Sequence, residues 1–84
     1  MNHELQIIAR PQTGALERIL RTLRVRGFEV QRMHADFDTA RERFHLGVWL
    51  QGERAPDVLE RQLLRLAEVE TVLAVHASTR SAAV

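Results

Sequence analysis

The sequence predicts an α+β ferredoxin-like fold, βαββαβ, with a four-stranded antiparallel sheet and two helices on one face. Three observations predict it. Apolar residues alternate with period two in four segments, two intervening segments repeat apolar residues at helical spacing, and Gly or Pro punctuates the changes between them. Two crossover helices and one hairpin then leave the split βαβ arrangement, and right-handed crossovers give the strand order 4-1-3-2. At 84 residues the chain makes a single domain. A chain of this size buries only roughly 60% of its unfolded surface, so a lone copy is of marginal stability.

In the first strand Leu5, Ile7 and Ala9 alternate with Gln6, Ile8 and Arg10. Pro11-Gln12-Thr13-Gly14 is a turn, and Thr13 is the expected N-cap, its hydroxyl accepting from a free amide of the first helical turn. Leu16, Ile19, Leu20 and Leu23 form the apolar stripe of the first helix. Glu17 and Arg21 are spaced for an i,i+4 pair, and Gly27 stands where a left-handed residue stops a helix. The second strand has apolar Phe28 and Val30 on even numbers, then Met33, Ala35 and Phe37 on odd numbers, so a bulge is expected near Gln31 and Arg32. Asp38-Thr39-Ala40-Arg41 reads as a hairpin loop. Phe44, Leu46, Val48 and Leu50 then alternate cleanly with His45, Gly47 and Trp49. Pro56 suits the first position of the second helix, with Asp57 and Glu60 near its positive end and Leu59, Leu63 and Leu66 as its stripe. The last strand is expected over about residues 71–77. Residues 1–78 are expected to form the domain and residues 79–84 a disordered tail.

Composition excludes several classes of function. The chain has 12 basic and 11 acidic residues and a net charge of +1, which is no signal for nucleic acid or a membrane. All the bases are Arg, a residue suited to carboxylate and phosphate, although their spread along both helices favours solvated faces. There is no Cys, hence no disulfide, thiolate metal site or Cys nucleophile. No apolar run approaches a membrane span and no signal-peptide core opens the chain, so a cytoplasmic protein is expected.

Catalytic groups are absent as constellations. His3, His34, His45 and His76 fall on four strands, and a site built on His34 and His45 would find only Asp36 as a third ligand. They read as solvent-facing strand residues. Ser78 and Ser81 lie in the tail without a base, Asp36 and Asp38 flank a hairpin, and Gly14 lacks the rest of a phosphate loop. No enzyme activity and no metal are expected of this chain. The helix-free sheet face is more informative. With Leu5 and Ile7 inward, Ile8 points outward; with Leu46 and Val48 inward, Trp49 does too. The phase of the fourth strand stays open, since Val72 and Ala74 compete with Leu73 and Val75 for the core. With Leu73 and Val75 outward, the residues Ile8, Trp49, Leu73 and Val75 form an apolar band suited to a protein partner. The same scaffold serves RNA-recognition modules, but of the outward residues on the two central strands only Trp49 and His45 could stack on bases.

The run Ala9-Arg10-Pro11, Leu16-Glu17-Arg18-Ile19-Leu20-Arg21 and Arg26-Gly27-Phe28-Glu29-Val30 resembles an ACT domain. With Leu59-Glu60-Arg61-Gln62-Leu63-Leu64-Arg65-Leu66, Val69 and Val72, it is most similar to the small regulatory subunits of acetolactate synthase (acetohydroxyacid synthase), of the short isozyme II type. The resemblance implies a non-catalytic subunit in branched-chain amino-acid biosynthesis that activates or stabilises a large catalytic subunit. Thiamine diphosphate, magnesium and FAD are expected on that partner and no cofactor on this chain. It also implies a homodimer paired through the sheet edge, with any amino-acid effector at the junction. Carried onto this sequence, the effector residues are Gln12, Thr13, Gly14, Glu29 and Val30. The family's Asn-Pro-Gly turn is here Arg10-Pro11-Gln12-Thr13-Gly14, and its Asn-Ile pair is Glu29-Val30. Glu29 would repel an effector carboxylate, in keeping with the valine-insensitive type. The alternatives are a free-standing amino-acid-sensing ACT homodimer and a ferredoxin-like RNA-binding module.

Overall fold

A computed structural model describes residues 2–75. Its elements are β1 (Asn2–Ala9), α1 (Ala15–Val25), β2 (Glu29–Asp38), β3 (Arg43–Gln51), α2 (Pro56–Leu64) and β4 (Val69–Val75). The strands form one sheet in the order β2-β3-β1-β4, with each neighbouring pair antiparallel, as the crossover argument requires. Alternation places Leu5, Ile7 and Ala9 of β1 beside Leu46, Val48 and Leu50 of β3 on one face, all buried. Ile19 and Leu23 of α1 and Leu59 and Leu63 of α2 close over them to form the core.

Local chemistry fixes the helix ends. Gly27 has φ 91°, and the bonds Gly27 N–H to Arg24 O (3.0 Å) and Phe28 N–H to Leu23 O (3.1 Å) form a Schellman stop. Pro56 opens α2 as expected. At the start of α1 the cap is Gly14, with φ 76° and no side-chain capping bond, and not Thr13. Arg18 Nη2 donates to Thr13 O (2.8 Å), so the turn is held from the helix side. Among the described residues no Glu17–Arg21 ion pair forms; an exposed pair of that kind is worth only tenths of a kcal/mol. Arg18 instead pairs with Glu68.

The two bulges explain the changes of phase. In β2 the register shifts between Val30 and Arg32, leaving Gln31 as the extra residue. In β4 it shifts opposite Ile8 and Ala9, so that Ala9 pairs with Val69 and Ile8 with Thr71, with Glu70 between them. Val69 is therefore inward on an odd number, while Val72 and Ala74 pack inward on even numbers. This settles the phase of β4, and leaves Leu73 64% exposed. The bulged Glu70 is held by Arg10 (3.6 Å) and Arg43 (3.3 Å). β4 thus begins at Val69, two residues before the expected start; its expected end at Ala77, and the 79–84 tail, lie outside the described residues. The hairpin is closed by Asp38 Oδ1, which accepts from the N–H groups of Ala40 (3.1 Å) and Arg41 (3.2 Å).

Candidate functional site: the helix-free sheet face and the first turn

Pairing across the sheet builds the helix-free face in rows. One row runs Val75, Glu4, Trp49, Arg32; the next Leu73, Gln6, Gly47, His34; the next Thr71, Ile8, His45, Asp36. Trp49 lies down on this face. A Cβ at Gly47 would stand 3.2 Å from the indole Cη2, so the absent side chain is what lets the ring cover the strand. The Arg32 guanidinium sits 4.8 Å from the indole centroid, a cation–π contact. Ile8 and Val75 are half-buried and Leu73 stands free. All four expected apolar residues are on this face, but they do not form one continuous band. Glu4 and Gln6 lie between Trp49 and the β4 pair, with Gln6 Nε2 donating to Glu4 Oε2 (2.8 Å). Glu4 is buried there. Glu4, Gln6 and Arg32 are thus part of the surface that an apolar count omits; β1's even positions carry the first two in plain view.

His34 and His45 each lie beside an aspartate. His34 Nε2 lies 2.7 Å from Asp36 Oδ2, and His45 Nε2 lies 3.9 Å from Asp38 Oδ2. Among the described residues no group of three or more His, Asp or Glu could hold a metal ion. His76, Ser78 and Ser81 lie outside the described residues. Among those described, no helix is long and apolar enough to cross a membrane.

The five effector residues fall into two groups. Gln12, Thr13 and Gly14 lie at the end of the sheet where Ala9, Phe44 and Phe37 pair. Glu29 and Val30 lie at the other end, where Asn2 pairs with Gln51 and Gln51 with Glu29. The seven residue steps between these rows span about 23 Å. One copy of the chain therefore does not bring them together. The Gly14 turn is occupied by Arg18, whose guanidinium holds Thr13 O and the Glu68 carboxylate. A Cβ at Gly14 would stand 3.0 Å from Arg18 Nη1. Glu68 is 3% exposed. Burial pushes its carboxyl up, but the Arg18 hydrogen bond, its own backbone N–H and the Arg18 charge outweigh burial and hold it below the ordinary carboxylate value. At the other end Glu29 Oε1 accepts from Gln31 Nε2 (3.0 Å), which also donates to Gln51 Oε1 (3.1 Å). Glu29 and Val30 line a groove of about 390 Å³ with Leu20, Arg21, Arg24 and Phe28.

The family model for the ACT domain matches residues 11–72. The chain belongs to the ACT-domain family. It is 31% identical over 81 residues to the acetolactate synthase isozyme 2 small subunit of Escherichia coli K12, covering 96% of this chain and 93% of that one. Its fold is similar to the acetolactate synthase small subunit of Thermotoga maritima, with a TM-score of 0.80 at 17% identity. That match covers 92% of this ACT domain but 48% of the T. maritima chain, so this chain spans about half of that relative. The ACT domain of the Chlorobium tepidum GTP pyrophosphokinase matches with a TM-score of 0.75 at 12% identity, over 89% of this chain and 97% of that one.

Proposed function

We propose that this ACT domain is a non-catalytic regulatory subunit of the isozyme 2 type, which binds and activates or stabilises an acetolactate synthase catalytic chain. The observation that carries the reading is the 31% identity to an isozyme 2 small subunit along nearly the whole of both chains. In this reading the cofactors (thiamine diphosphate, magnesium and FAD) reside on the catalytic chain, and the complex works in the cytoplasm. The helix-free face around Trp49 is the contact surface. Its aromatic, Arg-flanked centre has the composition of an interface hot spot. The same face carries Asp36, Asp38 and Glu4, which oppose the phosphates of an RNA strand.

The test is to mix this chain with the purified catalytic chain of its own organism. A stable complex and a rise in acetolactate formation are expected; no complex and no activation would contradict the reading. Calorimetric titration of this chain alone with valine, leucine and isoleucine separates it from a free-standing sensor. Submillimolar binding would favour the sensor.

A homodimer through the β2 edge completes the proposal. Along its helix-free side β2 carries Arg32 and His34 first and Asp36 and Asp38 last. Antiparallel self-pairing centred on Ala35 opposes Arg32 to Asp38 of the second copy and His34 to Asp36. On the other side it sets Met33 against Phe37, which is 44% exposed in one copy. That register also sets the Gly14 end of one copy beside the Glu29 end of the other, so the effector residues meet only across the pair. Phe37→Glu is expected to weaken the dimer at least about tenfold in sedimentation equilibrium; an unchanged constant would exclude this edge.

A further inference from the structure

A second concave surface lies on the opposite side of the molecule from Trp49, between α1 and the end of α2. It has a volume of about 250 Å³, and Arg21, Val25, Arg26, Gln62, Arg65 and Leu66 line it, with Thr22. No carboxylate is among its lining residues. Arg26 Nη2 donates to Gln62 Oε1 (2.7 Å), which leaves the Gln62 amide nitrogen as a further donor. Among the described residues Arg21 and Arg65 have no ion-pair partner, in contrast to Arg10, Arg18 and Arg43. The groove thus gathers positive charge and hydrogen-bond donors that the fold itself does not neutralise.

We propose that this groove binds an acidic peptide segment of a partner protein, with two carboxylates flanking an apolar side chain. The layout favours that occupant over a free phosphate. Arg21 lies in α1 and Arg26 caps its C-terminal end five residues on, about 7.5 Å along the axis, while Arg65 caps the end of α2, so the cations are spread along a groove and do not converge on one point. Val25, 68% exposed, and Leu66 supply apolar surface that a bare phosphate would leave wet. Arg forks bind carboxylates through paired N–H donors. The inference goes beyond the catalytic-chain reading and does not depend on it.

The test is an amide NMR titration of the full chain with the blocked tetrapeptide Asp-Leu-Leu-Glu. Salt-sensitive shifts are expected at Arg21, Val25, Arg26 and Arg65, and the Asn-Leu-Leu-Gln peptide should bind about tenfold more weakly. The double variant Arg21→Ala/Arg65→Ala should lose these shifts while keeping its circular dichroism; because both residues are on the surface, folding is a separate readout. Equal binding of the neutral peptide, shifts confined to other residues, or tighter binding of pyrophosphate at the same arginines would each overturn the proposal.

Discussion

Replacing Arg18 with Ala is expected to destabilise the chain by about 2 kcal/mol at neutral pH. Glu68 is buried, and Arg18 supplies the charge and the hydrogen bond that keep it ionised there. Removing one partner of a fully buried pair costs about 3–5 kcal/mol, and the half-exposed Arg18 side chain reduces this through solvent screening. The same variant frees Thr13 O and so loosens the turn before α1. The sign with pH follows from the lowered carboxyl. A carboxyl held below its unfolded value contributes stability that is present above that value and lost as pH falls through the folded one. Wild type therefore loses this contribution in acid. In the variant, burial is opposed only by the residue's own backbone N–H, so the carboxyl rises from its wild-type position and protonation becomes easier. Urea midpoints should differ most near neutrality and converge only as pH falls below the ordinary carboxylate value of about 4. A difference that stays constant with pH would show that the Arg18 effect is not electrostatic.

The other large effect is expected on association. Trp49→Ala should weaken the complex with the catalytic chain by about 2 kcal/mol or more, roughly thirtyfold in Kd. The indole covers Gly47 and takes the Arg32 guanidinium on its face, so its loss removes both the apolar centre and the platform that holds a cation there. Trp49→Phe keeps a ring over the glycine and should recover much of the affinity. Both variants should retain the core, because Leu46, Val48 and Leu50 face the opposite side of β3. Equal affinities for wild type and Trp49→Ala in a titration calorimeter would place the contact elsewhere.

What was legible in the sequence was what is local and periodic. β1 and β3 alternate without interruption, and their inward residues are those the alternation marks. Gly27 and Pro56 end and begin helices for backbone reasons that a single residue type carries. The phase change in β2 was readable because apolar residues stand on both sides of Gln31. That of β4 was not, because Glu70 enters the strand as a bulge residue held by Arg10 and Arg43, both distant in sequence. The Arg18–Glu68 contact was invisible for the same reason: it spans 50 residues. On the helix-free face, counting only apolar residues found Ile8, Trp49, Leu73 and Val75 but passed over Glu4 and Gln6, which divide them. The effector residues came from a family likeness, and the strand register separates them within one chain.

Trp49 is the chain's one tryptophan, so its indole reports on the helix-free face without interference. The most direct measurement is fluorine NMR of this chain, labelled with fluorotryptophan, before and after addition of the unlabelled catalytic chain. The resonance is expected to shift on complex formation and to be shielded from a soluble paramagnetic quencher. A complex that forms and activates acetolactate synthesis while the resonance stays where it was, and equally open to the quencher, would contradict a contact at Trp49.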